Sequence, residues 1–336
     1  MKLISKTIEK GMTGLYSGHG EIIKAFDGSY SFVKGDIKFE SINSNVDYVL
    51  QPIDKSIVKV ENGILYLYWN GEFQKMSYMN IDDSIVVYNN NYYVTYCRAN
   101  DIIKVLCVDK DDEYLFDIPS NDSFRCKKLV SKVIVFGDVS DKALLFYTKT
   151  GQRLWEYKEE DENLKINGRC IPVVDDVVVV ISEDCAVAEK IQGFNIHTGK
   201  KLWEISNAEE IVCPNTFFVG EDQYLYGCCT ECAYYDEESK LIMTKLNPKN
   251  GNTESIDVGM GFSAMSYDVT MHDRQLYYID NRPGNEIGVI DVDKKELIER
   301  VPLNIKKKVT IGAPVVTDDK VYVFIRDLQE LRVFQK

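Results

Sequence analysis

The sequence predicts an all-β chain built from repeated four-stranded antiparallel sheets, and three observations carry that prediction. First, short β-branched and aromatic runs recur along the 336 residues: L-Y-L-Y-W (65–69), V-I-V-F (133–136), V-V-V-V-I (177–181), Q-L-Y-Y-I (275–279) and V-Y-V-F-I (321–325). Each is bounded by Asp, Asn or Gly, which punctuate strands with turns. Second, F-Y-T-K-T-G-Q-R-L-W-E-Y at 146–157 returns as F-N-I-H-T-G-K-K-L-W-E-I at 194–205, offset by 48 residues throughout. Third, turn markers at Gly35, Gly71, Asp111, Gly151, Gly199, Gly251 and Lys295 are spaced by 36 to 52 residues. That is the length of one four-stranded sheet, the period of propeller blades.

Taken in order, the N-terminal K-L-I-S-K-T-I-E reads as a lone strand, and residues 10–45 form the weakest repeat, with a hairpin at F-V-K-G-D-I-K-F (32–39). Hairpins follow at Y-W-N-G-E-F (68–73) and C-V-D-K-D-D-E-Y-L (107–115). Thr-Gly at 150–151 and 198–199 supplies tight turns, since glycine tolerates the positive φ they need. The tryptophan four residues on, Trp155 or Trp203, lies on the returning strand, where a large ring can fill the gap against a neighbouring sheet. K-L-N-P-K-N-G-N-T (245–253) and V-I-D-V-D-K-K-E-L (289–297) repeat the plan, and residues 314–336 give three strands and stop. The fold expected is therefore a single β-propeller domain spanning 1–336, eight-bladed with seven as the alternative. The N-terminal strand supplies the missing outer strand of the last blade, closing the ring without an unpaired terminal blade.

The two strong copies resemble the repeat of quinoprotein-type (PQQ-like) β-propellers, roughly A-x-D-x-x-T-G-K-x-x-W. F-N-I-H-T-G-K-K-L-W fits best, with Asn195 where that family usually has Asp, and F-Y-T-K-T-G-Q-R-L-W carries Tyr147 there. The resemblance implies the fold. It also raises quinone-dependent dehydrogenase chemistry, which would bring a calcium site, a catalytic carboxylate and export, and in some such enzymes a vicinal cysteine pair like Cys228-Cys229. The chain is shorter than those enzymes and places its pair in a strand-like run, so no cofactor is expected. Propellers host many activities, and fold alone does not select one.

Bulk properties narrow the classes further. The formal net charge is −13 with a pI near 4.9, which disfavours nonspecific nucleic-acid binding. M-K-L-I-S-K-T-I-E-K-G-M-T-G has no apolar h-region, and the longest apolar run, Val177 to Ile181, is far short of a membrane span. A cytoplasmic, monomeric chain that touches no membrane is expected, with its nine cysteines reduced. Cys97 and Cys107 lie in strand-like runs, where a thiol behaves as a small hydrophobe. Cys213, Cys228, Cys229 and Cys232 offer four thiolates to zinc. A second C-x-x-C is absent, however, and adjacent residues on an extended strand face opposite ways, so no metal is expected. His19 lies in a glycine loop, His197 in a turn of the repeat, and His272 is the third histidine. No hydrolytic triad or phosphate loop is recognisable, so no catalytic residues are assigned.

The charges carry the functional expectation. Third-to-fourth-strand turns hold Lys149, Arg153, Lys200, Lys201, Lys249, Lys294 and Lys295, while Lys306–Lys308 break the pattern. The opposite loops hold Glu159, Glu160, Asp161, Glu162, Glu183, Asp184, Glu209, Glu210, Asp236, Glu237 and Glu238. These acidic loops are the expected partner-binding residues of a non-enzymatic propeller, one version being an immunity-type protein that covers a basic toxin domain. A small-molecule site or enzyme at the central channel, and an assembly scaffold, are the alternatives.

Overall fold

Strand-forming residues meet their partners in hairpin after hairpin. The computed structural model describes residues 1–18, 21–26, 29–32, 38–40, 46–50, 57–61, 64–69, 72–78, 85–89, 92–99, 102–109, 113–119, 125–130, 132–138, 140–168, 171–184, 187–208, 217–230, 240–260, 264–280, 284–305 and 309–336. Strand β1 (Lys2–Ile8) comes first. Sheet one holds β2 (Met12–Gly18), β3 (Glu21–Phe26), β4 (Ser29–Phe32) and β5 (Lys38–Glu40). Sheet two holds β6 (Val46–Leu50), β7 (Ile57–Glu61), β8 (Ile64–Trp69) and β9 (Glu72–Tyr78). Sheet three is β10 (Ile85–Asn89), β11 (Tyr92–Ala99), β12 (Ile102–Asp109) and β13 (Glu113–Pro119), and sheet four β14 (Arg125–Val130), β15 (Val133–Gly137), β16 (Ala143–Thr148) and β17 (Arg153–Lys158).

Sheet five joins β18 (Lys165–Ile166) and β19 (Val173–Val174) to one edge of β20 (Val177–Asp184), followed by β21 (Val187–Asn195) and β22 (Lys201–Ser206). Sheet six is β23 (Phe218–Val219), β24 (Leu225–Thr230), β25 (Lys240–Leu246) and β26 (Thr253–Met260). Sheet seven is β27 (Ala264–His272), β28 (Gln275–Asp280), β29 (Gly284–Asp291) and β30 (Glu296–Ile305). The last sheet runs β1, β33 (Glu330–Gln335), β32 (Lys320–Ile325), β31 (Val315–Val316), with a 3-10 turn at Arg326–Leu328. Lys2 pairs antiparallel with Gln335 and Ile8 with Glu330, so the N-terminal strand completes the C-terminal sheet as the sequence predicts.

Two compact units divide the chain: Met1–Leu15, Asn163–Asn195 and Lys200–Lys336 in one, Tyr16–Glu162 and Ile196–Gly199 in the other. In the first, consecutive sheets pack face to face: Val179, Ile191 and Trp203 against Leu225 and Leu246, Tyr226 and Met243 against Leu276 and Tyr278, and Ile279 and Val289 against Val323 and Phe334. In the second, Ile103, Val105 and Ile118 of sheet three pack on Ile134, Phe136 and Leu145 of sheet four. Each such side chain contributes about 1.5–3 kcal/mol on burial.

The repeated Leu-Trp-Glu has a mechanical explanation. On both β17 and β22 the register slips by one residue, so that Phe146 faces Trp155 and Gly193 faces Trp203, and Leu154 and Leu202 are bulged out. A bulge re-aims the following side chain. Trp155 Nε1 then donates to the Ile196 carbonyl at 2.7 Å, and its ring lies over Gly199; Trp203 Nε1 donates to the Pro248 carbonyl at 2.7 Å, its ring over Gly251. Phe116 of β13 covers Gly151 in the same way. Phe116, Trp155 and Trp203, each on the fourth strand of its sheet, thus rest on the turn glycine of the next sheet, and those glycines have φ of +84° (Gly151), +69° (Gly199) and +75° (Gly251). The glutamates close the motif: Glu156 pairs with Arg153, and Glu204 with Lys201 at 2.7 Å. At the next step the aromatic gives way to an ion pair between Glu254 and Lys295, the latter at φ +60°.

Candidate functional site

The acidic loop 159–162 follows β17 and is pinned from beneath. Glu159, expected among the exposed acids, is only 8% exposed. Its carboxylate accepts the Tyr157 hydroxyl at 2.9 Å and the Asp161 N–H at 3.2 Å, and its own N–H donates to the Lys142 carbonyl. Tyr157 and Glu159 lie two apart, on one side of an extended segment, and for that reason the glutamate turns inward. Lys142 reaches across from the β15–β16 loop, donating from Nζ to the carbonyls of Asp161 at 3.0 Å and Glu162 at 2.9 Å. That second loop is tied by Asp138 Oδ1, which accepts the N–H groups of Lys142 and Ala143. The main chain of the loop is therefore fixed, and the side chains of Glu160, Asp161 and Glu162 are exposed.

Glu183 and Asp184 end β20. Glu183 is half-buried and accepts Asn167 Nδ2 at 2.8 Å, while Asp184 is exposed. Glu209, Glu210, Asp236, Glu237 and Glu238 lie outside the described residues, as do Cys213, Cys232, His19 and Lys306–Lys308. Cys228 and Cys229 are consecutive on β24, and Cys107 is buried on β12. Among the described residues no group of three or more His, Cys, Asp or Glu is placed to hold a metal. No described helix is long and apolar enough to cross a membrane.

The expected basic turns are in place, but sequence reasoning missed their acidic neighbours. Strand alternation brings first-to-second-strand turns to the same end of each sheet as third-to-fourth-strand turns. These carry Asp175, Asp176, Glu221, Asp222, Asp273, Asp318 and Asp319. Lys249 pairs with Asp175 at 3.1 Å, Lys294 with Asp291 at 2.8 Å, and His272 meets Asp318 at 3.1 Å. That end is charge-balanced rather than basic. The signal was legible, since acidic pairs stand just before V-V-V-V-I and V-Y-V-F-I.

Among the described residues, a densely connected polar cluster joins sheets six and seven. Asp222 Oδ2 receives Arg274 Nη1 at 2.6 Å, the Tyr226 hydroxyl at 2.8 Å and Lys245 Nζ at 3.0 Å. Arg274 also pairs with Asp293, and Lys245 lies 4.2 Å from the Tyr224 ring centroid. Burial pushes the Asp222 carboxyl up, but Arg274, Tyr226, Lys245 and the Tyr224 N–H outweigh it and hold it at about 2. Burial, with the neighbouring carboxylate, pushes the Tyr226 hydroxyl above its ordinary value. Every member faces another member, so the cluster fastens the turns of the two sheets together.

Face-to-face four-stranded sheets, stitched turn to turn by a fourth-strand aromatic, define an all-β repeat protein of propeller type. The PQQ-like resemblance agrees with comparison: residues 80–212 match the PQQ-like family model described as outer membrane protein assembly factor BamB. No curated protein matches the sequence. Among solved structures, BamB from Moraxella catarrhalis is similar at 11% identity and a TM-score of 0.55, over 99% of both chains. The WD40 domain of SCAP from fission yeast is similar at 9% identity and 0.56, over 98% of this chain and 94% of that one. Apo AztD from Citrobacter koseri follows at 11% and 0.52, over 90% and 85%. At these identities the likeness is one of fold.

Proposed function

We propose that the chain is a non-enzymatic protein-binding propeller, a single domain closed as an eight-bladed ring, that takes a basic partner on its acidic loops. Supporting the closed ring are eight sheets among the described residues and the pairing of β1 with β33. Supporting a scaffold role is the match to a model named for an assembly factor. The observation that carries the choice of surface is the pinned loop, whose fixed main chain presents Glu160, Asp161 and Glu162 to solvent. A preorganised acidic surface loses little entropy on binding and speeds encounter with an opposite charge. Asp184, Glu183, Glu209, Glu210, Asp236, Glu237 and Glu238 extend the proposed surface, and Glu159 serves it by holding the loop. An immunity-type protein in the cytoplasm, covering a basic toxin domain, is the narrowest form of this reading.

The test is charge reversal with the anchor left alone. Glu160, Asp161 and Glu162 are replaced together by Lys, Glu159 is retained, and a Lys200→Glu/Lys201→Glu variant serves as control. Binding partners captured from the native host are then measured by surface plasmon resonance at two salt concentrations. The triple reversal is expected to slow association by tenfold or more, with wild-type association falling as salt rises. Loss of binding in the Lys200/Lys201 variant alone would move the working surface to the opposite end.

A further inference from the structure

Four Asn-Gly pairs occur in the sequence, at 62–63, 70–71, 167–168 and 250–251. The last two lie among the described residues, in opposite surroundings. Asn167 is 3% exposed; its N–H donates to the Ile181 carbonyl at 2.8 Å, and its side-chain amide to Glu183 at 2.8 Å. Asn250 is exposed in the turn between β25 and β26, and its Oδ1 accepts the Asn252 N–H at 3.0 Å. That bond spans Gly251, so it draws the Asn250 side-chain carbonyl forward over the Gly251 nitrogen. The Asn252 N–H polarises the same carbonyl as an oxyanion donor does. Gly251, with no Cβ and φ +75°, leaves its nitrogen open to attack on that carbonyl.

We propose that Asn250 is a self-modifying site that converts, with water as the only co-reactant, to aspartate and isoaspartate. The Gly251 nitrogen loses its proton to hydroxide and bonds to Asn250 Cγ. The Cγ–Nδ2 bond breaks, and ammonia leaves with a proton from water. Water then opens the five-membered imide at either carbonyl, giving an aspartate or a backbone rerouted through the former side chain. The Gly251 N–H donates to the Asn247 carbonyl at 2.9 Å, so the local opening of that bond gates the rate. Asparagine is one of the thermolabile residues, and here the consequence is local and specific. The turn that would gain a carboxylate, and in isoaspartate an extra backbone carbon, is the one whose Pro248 carbonyl and Gly251 hold Trp203.

The test incubates the intact protein in mildly alkaline buffer at growth temperature and follows positions 167 and 250 by peptide mapping. The synthetic peptide 245–255 and an Asn250→Gln variant, whose longer side chain cannot close the same ring, are run alongside. The expected result is a gain of one mass unit at 250 in the wild type, isoaspartate in excess, none at 167 and none at 250 in the variant. Two results would overturn the proposal: position 250 unchanged while the free peptide converts, or 167 converting as fast as 250.

Discussion

Trp203 sits between two glycines, Gly193 on its own hairpin and Gly251 on the next turn, where added Cβ atoms would stand 2.2 and 2.8 Å from the ring. No larger residue fits at either place, and the ring therefore fixes the identity of residues 10 positions before it and 48 after it. Replacing Trp203 with Ala empties a buried site and is expected to lower stability by about 3–5 kcal/mol, read from the urea midpoint. Glycine strain and ring contact can be separated. Gly199 has φ +69° and would place a Cβ 2.6 Å from Trp155, whereas Gly11 has φ +78° with nothing within 4 Å. Gly11→Ala therefore carries the backbone cost alone, about 1–2 kcal/mol, and Gly199→Ala must exceed it. Equal midpoints for the two variants would mean that the tryptophan contact contributes nothing to holding the turn.

At the scale of elements, local pattern was readable and cross-sheet geometry was not. The β-branched runs and Thr-Gly turns appear where the sequence placed them, as β8, β15, β20, β28 and β32, and the turns at Gly151, Gly199, Gly251 and Lys295. Gly35, Gly71 and Asp111 lie outside the described residues. The inward turn of Glu159 rests on Tyr157 and Asp161, two residues away, and was open to strand alternation. The bulges at Leu154 and Leu202, by contrast, aim Trp155 and Trp203 at carbonyls 41 and 45 residues on, partners that no local window contains. The Asp222–Arg274 pair, 52 residues apart, is the clearest such case, and it makes a pH prediction. The folded carboxyl of Asp222, at about 2, lies below its ordinary 3.8. Its stabilising contribution is therefore complete above 3.8 and is lost as pH falls through about 2. Asp222→Asn abolishes that dependence and leaves Arg274 and Lys245 without their shared carboxylate. The urea-midpoint difference between wild type and variant should be constant at neutral pH and shrink below pH 3.8. A difference that stays constant down to pH 2 would remove Asp222 from the acid response.

For the molecule as a whole, the decisive contact joins residues separated by nearly the entire chain. Strand β1 cannot find its ladder until β33 exists, a pairing of the highest contact order the chain allows. Its own side chains gain little there, since Leu3 is 45%, Ile4 48% and Ile8 59% exposed. The gain lies in the backbone ladder, in the Lys6–Glu330 pair at 2.7 Å, and in the Glu9 N–H bond to the Gln329 carbonyl. Met1 adds an apolar contact to the core of Ile305, Ile325 and Phe334. With each ladder hydrogen bond contributing about 0.5–1.5 kcal/mol, the strand stabilises the last sheet by several kcal/mol. A chain beginning at Gly11 should therefore unfold at a clearly lower urea concentration. Because the lost interactions are main-chain and register-specific, the peptide M-K-L-I-S-K-T-I-E-K added in trans should raise the midpoint again, in proportion to the logarithm of its concentration. A scrambled peptide of the same composition lacks the Lys6 register and should not. If the shortened chain keeps the full-length midpoint, pairing of β1 with β33 is not what holds the last sheet together, and the proposed closed ring loses its main physical support.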